Sequence, residues 1–182
     1  MLFKTKAIIL HLEKNSKNEF VYSVFSQEYG KILLQKKGGK KEKILDIAYI
    51  INAEIKTKQG FNIHKVGNIK IKSEFLYENK SFEEINEYLT IISIILKNCP
   101  FGLKIEEIFF IMEKVNEEKN INFQKLLITK LKIYNILGTL KTHHSNKIIE
   151  KILKFIDKNK IETLFKLESL DDNILNEMKK IG

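Results

Sequence analysis

"IKIKSEFLYENKSFEEINEYLTII", residues 69–92, contains the change of period that decides the fold. At its start Ile69 and Ile71 alternate with Lys70 and Lys72, the two-residue period of a strand with one buried face. Toward its end Ser81 stands three residues before Glu84, a spacing that lets each side chain satisfy an orphan backbone N–H at a helix start. Between them "LYENK" (76–80) is the boundary, with no Gly, Ser or Pro-rich linker.

Upstream of the boundary the chain reads as strands and turns. "TKAIILHL" (5–12) and "EFVYSVFS" (19–26) flank the turn residues "NSKN", and "KILLQKK" (31–37) leads to Gly38-Gly39. "ILDIAYIINAEIKTK" (44–58) carries apolar residues at period two, and "FNIHKVGNIKIK" (61–72) follows a turn at Gln59-Gly60. Five short strands predict a five-stranded OB-fold barrel over residues 1–75. Downstream, helices are expected from Ser81 to just before Pro100 and over 104–118, 123–137, 146–159 and 161–168, with a last one capped by Ser169. The expected class is therefore α+β, a barrel followed by an all-helical domain over 80–182.

The charge is unevenly spread. All 32 basic residues are lysine, and the formal net charge is +9. Residues 1–72 hold 15 lysines against 6 acids, whereas the remainder holds 17 of each. The whole excess lies in the barrel, which points to a localised positive field for a polyanion. The longest apolar stretch, near "YLTIISIIL" (88–96), is far short of the roughly twenty residues that span a membrane, so a cytoplasmic protein with no membrane contact is expected. Cys99 is the only cysteine, which excludes an internal disulfide and a cysteine-built zinc site.

Candidate catalytic groups do not assemble. His143 and His144 are adjacent and would diverge by about 100° on a helix, and the acidic pairs fall at helix starts or on charged faces. No Gly-rich phosphate motif is present, and no enzyme, cofactor or metal is expected. The chemistry points instead to "YGKILLQKKGGKKEKI" (29–44). Lysines as mobile point charges neutralise phosphates without reading sequence. Lys31, Lys36, Lys37, Lys40, Lys41 and Lys43 are the nucleic-acid-binding candidates, with Tyr29, Tyr22, Phe25 and Phe61 as stacking platforms.

The order of "TKAIILHL", "FVYSVFSQEYGK" and the basic "KKGGKK", with "LLITKLKIYNILG" (126–138) farther on, resembles the RecO family of bacterial recombination mediators. That resemblance implies an OB-fold and a helical domain that bind single- and double-stranded DNA and anneal complementary strands. It also implies partnership with RecR and with the single-strand-binding protein, whose displacement lets RecA load. Carried onto this chain, the DNA-binding role falls on Lys31, Lys36, Lys37, Lys40 and Lys41, with Gly30, Gly38 and Gly39 as turn positions. Two departures stand out: lysines replace the family's arginines, and "TLKTHHSNKIIE" (139–150) lacks the cysteines of its zinc module. The alternatives from the residues alone are an RNA- or ribosome-associated OB-fold protein and a helical protein-interaction adaptor.

Overall fold

The computed structural model describes residues 2–15, 19–37, 45–56 and 63–181. Five strands, β1 (Leu2–Lys14), β2 (Glu19–Ser26), β3 (Gly30–Lys37), β4 (Ile50–Lys56) and β5 (Ile63–Ser73), precede six helices. The helices are α1 (Phe82–Asn98), α2 (Glu106–Glu117), α3 (Phe123–Ile136), α4 (Lys147–Lys158), α5 (Ile161–Leu164) and α6 (Asp172–Lys179). The strands close into a barrel in the order β1-β2-β3-β5-β4, antiparallel except for β3 with β5. This is the OB-fold barrel with helices after it. The chain forms two compact units, Met1–Leu76 with Ile92–Glu117, and Tyr77–Ile91 with Glu118–Gly182. The stretch after residue 80 is thus divided between them, and the second half of α1 and all of α2 belong with the barrel.

Inward-facing Ala7, Ile9, Tyr22, Val24, Ile32, Leu34, Ile51, Ala53 and Ile55 fill the barrel at period two. Burying each large one fully contributes about 1.5–3 kcal/mol. The fourth strand begins at Ile50, six residues into the 44–58 segment expected for it. Ala48 sits at φ +73°, donates to the Ile9 carbonyl at 2.8 Å, and leaves Tyr49 O to accept from Ile9 N–H at 2.9 Å, so this segment turns onto β1 instead.

Helix starts follow local chemistry. Ser81 and Glu84 form the reciprocal cap, at 2.8 and 3.1 Å. Asp171, not Ser169, caps α6 by accepting from Asn173 N–H. α5 is one turn rather than the eight residues expected. Lys166 and Leu167 donate three residues back, to Thr163 and Leu164, and the Gln124 amide then engages Glu168 O at 3.0 Å and Leu170 N–H at 2.8 Å. The Gln124 side chain, buried on α3, replaces the next helical turn.

In the second unit α3 packs against α4, α5 and α6. Lys132 donates to the Ile156 and Asp157 carbonyls at the end of α4, satisfying acceptors that the helix leaves open. Lys130 and Glu87 form a buried ion pair at 2.8 Å, each side chain at most 7% exposed. Burial raises the Tyr134 phenol above its ordinary value, with Glu87 adding to the effect.

Removing one partner of that pair strands a buried charge. Lys130→Met should destabilise the protein by about 3–5 kcal/mol, while adding Glu87→Met should recover most of it. Chemical denaturation of both variants checks this. Glu150 offers a pH test. Hydrogen bonds from Lys154 and Lys147 hold its carboxyl down to about 2. A depressed carboxylate contributes stability above its unfolded value, and that contribution is lost as pH falls toward 2. The melting temperature of Glu150→Gln should trail wild type at neutral pH and converge with it near pH 2.

Candidate nucleic-acid interface

The alternation that fills the barrel also fixes which side chains leave it. With Ala7, Ile9, Ile51, Ala53 and Ile55 inside, Lys4 and Lys6 of β1 and Asn52, Glu54 and Lys56 of β4 face outward. On β5, Val66 and Ile69 pack inward, leaving Lys65 and Lys70 on the outer side. The register then sets these residues in rows: Lys4 opposite Glu54, Asn52 between Lys6 and Lys70, and Lys65 between Lys56 and Gln35.

Lys56 and Lys65 are both exposed, and they oppose each other directly across an antiparallel ladder. Their Cα atoms are therefore about 4.5–5.5 Å apart, an arrangement in which like charges are destabilising. Among the described residues neither has a carboxylate within ion-pair distance, and the same holds for Lys37 and Lys70. An anion lying over this face would relieve the repulsion.

Beside it the β3–β5 seam opens into a cleft. The parallel pairing covers only Leu33–Gln35 against Ile63–Lys65. Beyond it the strands part around a 320 Å³ cleft lined by Lys36, Lys37 and Lys65 together with Gln35, Glu19 and Gly67. The Glu19 carboxylate is engaged by Gln35 Nε2 at 2.7 Å and Asn15 Nδ2 at 3.1 Å. The lysines of the cleft outnumber it, and the site favours an anion.

The sequence-derived candidates divide. Lys36 and Lys37 line the cleft. Lys40, Lys41 and Lys43, with Gly38, Gly39 and Phe61, lie outside the described residues. Lys31 is buried: it donates to the Leu96 carbonyl at 2.8 Å and lies 4.5 Å from the Phe101 ring centroid. The chain holds it there through Gly30, whose φ is +64°. A Cβ at Gly30 would sit 2.0 Å from the Leu103 carbonyl oxygen, and Gly102 N–H donates to Lys31 O at 2.9 Å. Tyr22 and Phe25 are core side chains, 2% and 0% exposed, and offer no face for a base. Tyr29 is 37% exposed but packs on Phe3 with ring centroids 5.1 Å apart.

Other lysines of the basic half are also absorbed by the fold. Lys6 and Lys72 both donate to Glu113 on α2, the first at 2.8 Å. Burial pushes the Glu113 carboxyl up, yet the hydrogen bonds from Lys6 and Lys72 prevail and hold it below its ordinary value. The hydrogen bond that Lys72 donates to Glu113 in turn raises the Lys72 ammonium above its ordinary value. Burial pushes the Cys99 thiol up to about 11, offset in part by Lys31, so this cysteine is a poor nucleophile. Among the described residues no group of three or more His, Cys, Asp or Glu side chains is arranged to hold a metal, and no helix is long and apolar enough to cross a membrane.

Residue-by-residue reading missed Lys4, Lys56, Lys65 and Lys70. For Lys56, Lys65 and Lys70 the signal was the alternation of lysine with isoleucine and valine across 55–72, which marks outward positions of a strand, and for Lys4 its place between Phe3 and Thr5 at the start of the first strand. The two kinds of lysine should separate by mutation. Lys31→Met should cost stability by about 1–3 kcal/mol and leave the salt dependence of polyanion binding as it is. Lys65→Gln should do the reverse, with thermal melts and salt titrations as readouts. No family model matches the chain, and no curated protein matches it either.

Proposed function

We propose that this chain is a nonenzymatic DNA-binding mediator of recombinational repair that holds single strands on the lysine face of its barrel. The observation that carries the binding reading is the outward pair Lys56–Lys65 beside the lysine-lined cleft of the β3–β5 seam. An OB-fold barrel is a common platform for unpaired nucleic acid, and a face of lysines without arginine suits contact with phosphates independent of sequence. The recombination role, with binding to single- and double-stranded DNA, strand annealing and partnership with RecR, the single-strand-binding protein and, through them, RecA, rests on the RecO resemblance.

The test is a salt titration with single-stranded DNA. Log affinity should fall with log salt at about 0.7 per phosphate contacted, and changing Lys36, Lys37, Lys56 and Lys65 together to Gln should flatten that slope for all sequences alike. Lys37, Lys56 and Lys65 are exposed, and exposed charges are worth little to the fold, so their replacement should change the melting temperature little. A flat wild-type line removes the nucleic-acid reading. Annealing of complementary oligonucleotides coated with the single-strand-binding protein then tests the mediator role. Strong RNA binding without annealing would favour the RNA-associated alternative.

A further inference from the structure

A second concavity on the barrel differs in chemistry from the β3–β5 cleft. It is a 430 Å³ groove across the outer faces of β1, β4 and β5, within the range of small-molecule sites. Lys4 and Lys70 stand at it, but so do the carboxylates of Glu28 and Glu54 and the amides of Gln27, Asn52 and Asn68. Two carboxylates disfavour a phosphate seated in the groove itself. They are acceptors only, whereas the amides both donate and accept, the set that reads the edge of an unpaired base.

The local backbone places these groups. Between the pairs Ala53–Ile69 and Ile55–Val66, β5 spends one residue more than β4, a bulge at Gly67-Asn68 that re-aims the exposed Asn68. At the other side, Ser26 Oγ accepts from the N–H groups of Glu28 and Tyr29 at 3.2 and 3.0 Å and lies 2.6 Å from Thr5 Oγ1. Those bonds set the turn that carries Gln27 and Glu28. Thr5 Oγ1 also donates to Glu28, and Lys4 lies 3.5 Å from Glu54, so each carboxylate keeps acceptor sites for a ligand.

We propose that this groove is a base-reading subsite that prefers nucleotides with an exocyclic amine, such as cytosine, over thymine or uracil. The amine donates to Glu28 or Glu54, the amides of Asn52 and Asn68 meet the remaining base edge, and Lys4 and Lys70 meet the flanking phosphates. Thymine presents an acceptor and a methyl group where cytosine presents the amine, and leaves the carboxylates unpaired. This inference rests on the reading of the barrel as a single-strand binder.

The test compares oligo(dC) with oligo(dT) of equal length at fixed salt. Wild type should bind oligo(dC) about tenfold tighter, the worth of one charge-assisted hydrogen bond. Glu28→Ala with Glu54→Ala should abolish that preference while raising affinity for oligo(dT), because two negative charges are gone. Asn52→Ala with Asn68→Ala, both exposed positions, should weaken oligo(dC) binding and leave the salt slope intact. Equal wild-type affinities, or a preference that survives the loss of both carboxylates, would overturn the subsite and leave phosphate binding standing. Absence of salt-dependent binding to either oligonucleotide would overturn both readings.

Discussion

Three residue pairs of parallel ladder, Leu33–Gln35 against Ile63–Lys65, close the barrel, and the placement of its charged surface follows from how short that ladder is. Above it, β3 has an uncovered edge at Lys31, where the 99–103 segment lies: Phe101 bridges to Lys31 and Gly102 donates to its carbonyl. Below it no such segment is present among the described residues, and the edges of Lys36–Lys37 and Lys65–Gly67 stay apart as the cleft. An unpaired strand edge is a hazard unless covered or charged, and this protein uses both solutions on one strand. The covered end is structural; the charged end is available to a ligand.

The same division governs the lysines. A positive excess confined to the first 72 residues reads as one field, but the fold sorts it by direction and by neighbour. Lys31 is spent on a helix-end carbonyl and an aromatic ring, and Lys6 and Lys72 on Glu113. Lys56, Lys65 and Lys70 alternate with core residues on strands where no acid opposes them, and Lys37 stands opposite Glu19, whose carboxylate Gln35 and Asn15 engage. Glu113 comes from α2, beyond the barrel sequence, so a count restricted to residues 1–72 overstates the field. The surface excess is smaller than the count and more sharply placed.

This explains what the sequence made legible. Period-two alternation and the Ser81–Glu84 cap located five strands and the first helix, because each is a local pattern. The early start expected for β4 and the long α5 failed for tertiary reasons: the Ala48 turn depends on Ile9, and the shortened helix depends on Gln124, 44 residues from its partner carbonyl. The site was half legible for the same reason. Lys36 and Lys37 stood out as a run, whereas Lys56 and Lys65 are nine positions apart and become neighbours only through register. Lys31 looked like its neighbours, and only the approach of Leu103 to Gly30 shows it to be internal.

Register also bears on whether such a face can exist without its ligand. Two ammonium groups held about 7 Å apart in water repel by about 0.6 kcal/mol, and physiological salt with a screening length of about 8 Å reduces that further. Beneath them Ile55, fully buried, contributes about 1.5–3 kcal/mol to the same ladder. Packing therefore outweighs repulsion several-fold, and the barrel keeps Lys56 and Lys65 opposed at little expense in stability. The core already fixes the backbone of these lysines, so only their side chains remain to be ordered when a polyanion arrives. The ladder, more than the number of lysines, is what makes this face suited to holding an extended chain of phosphates.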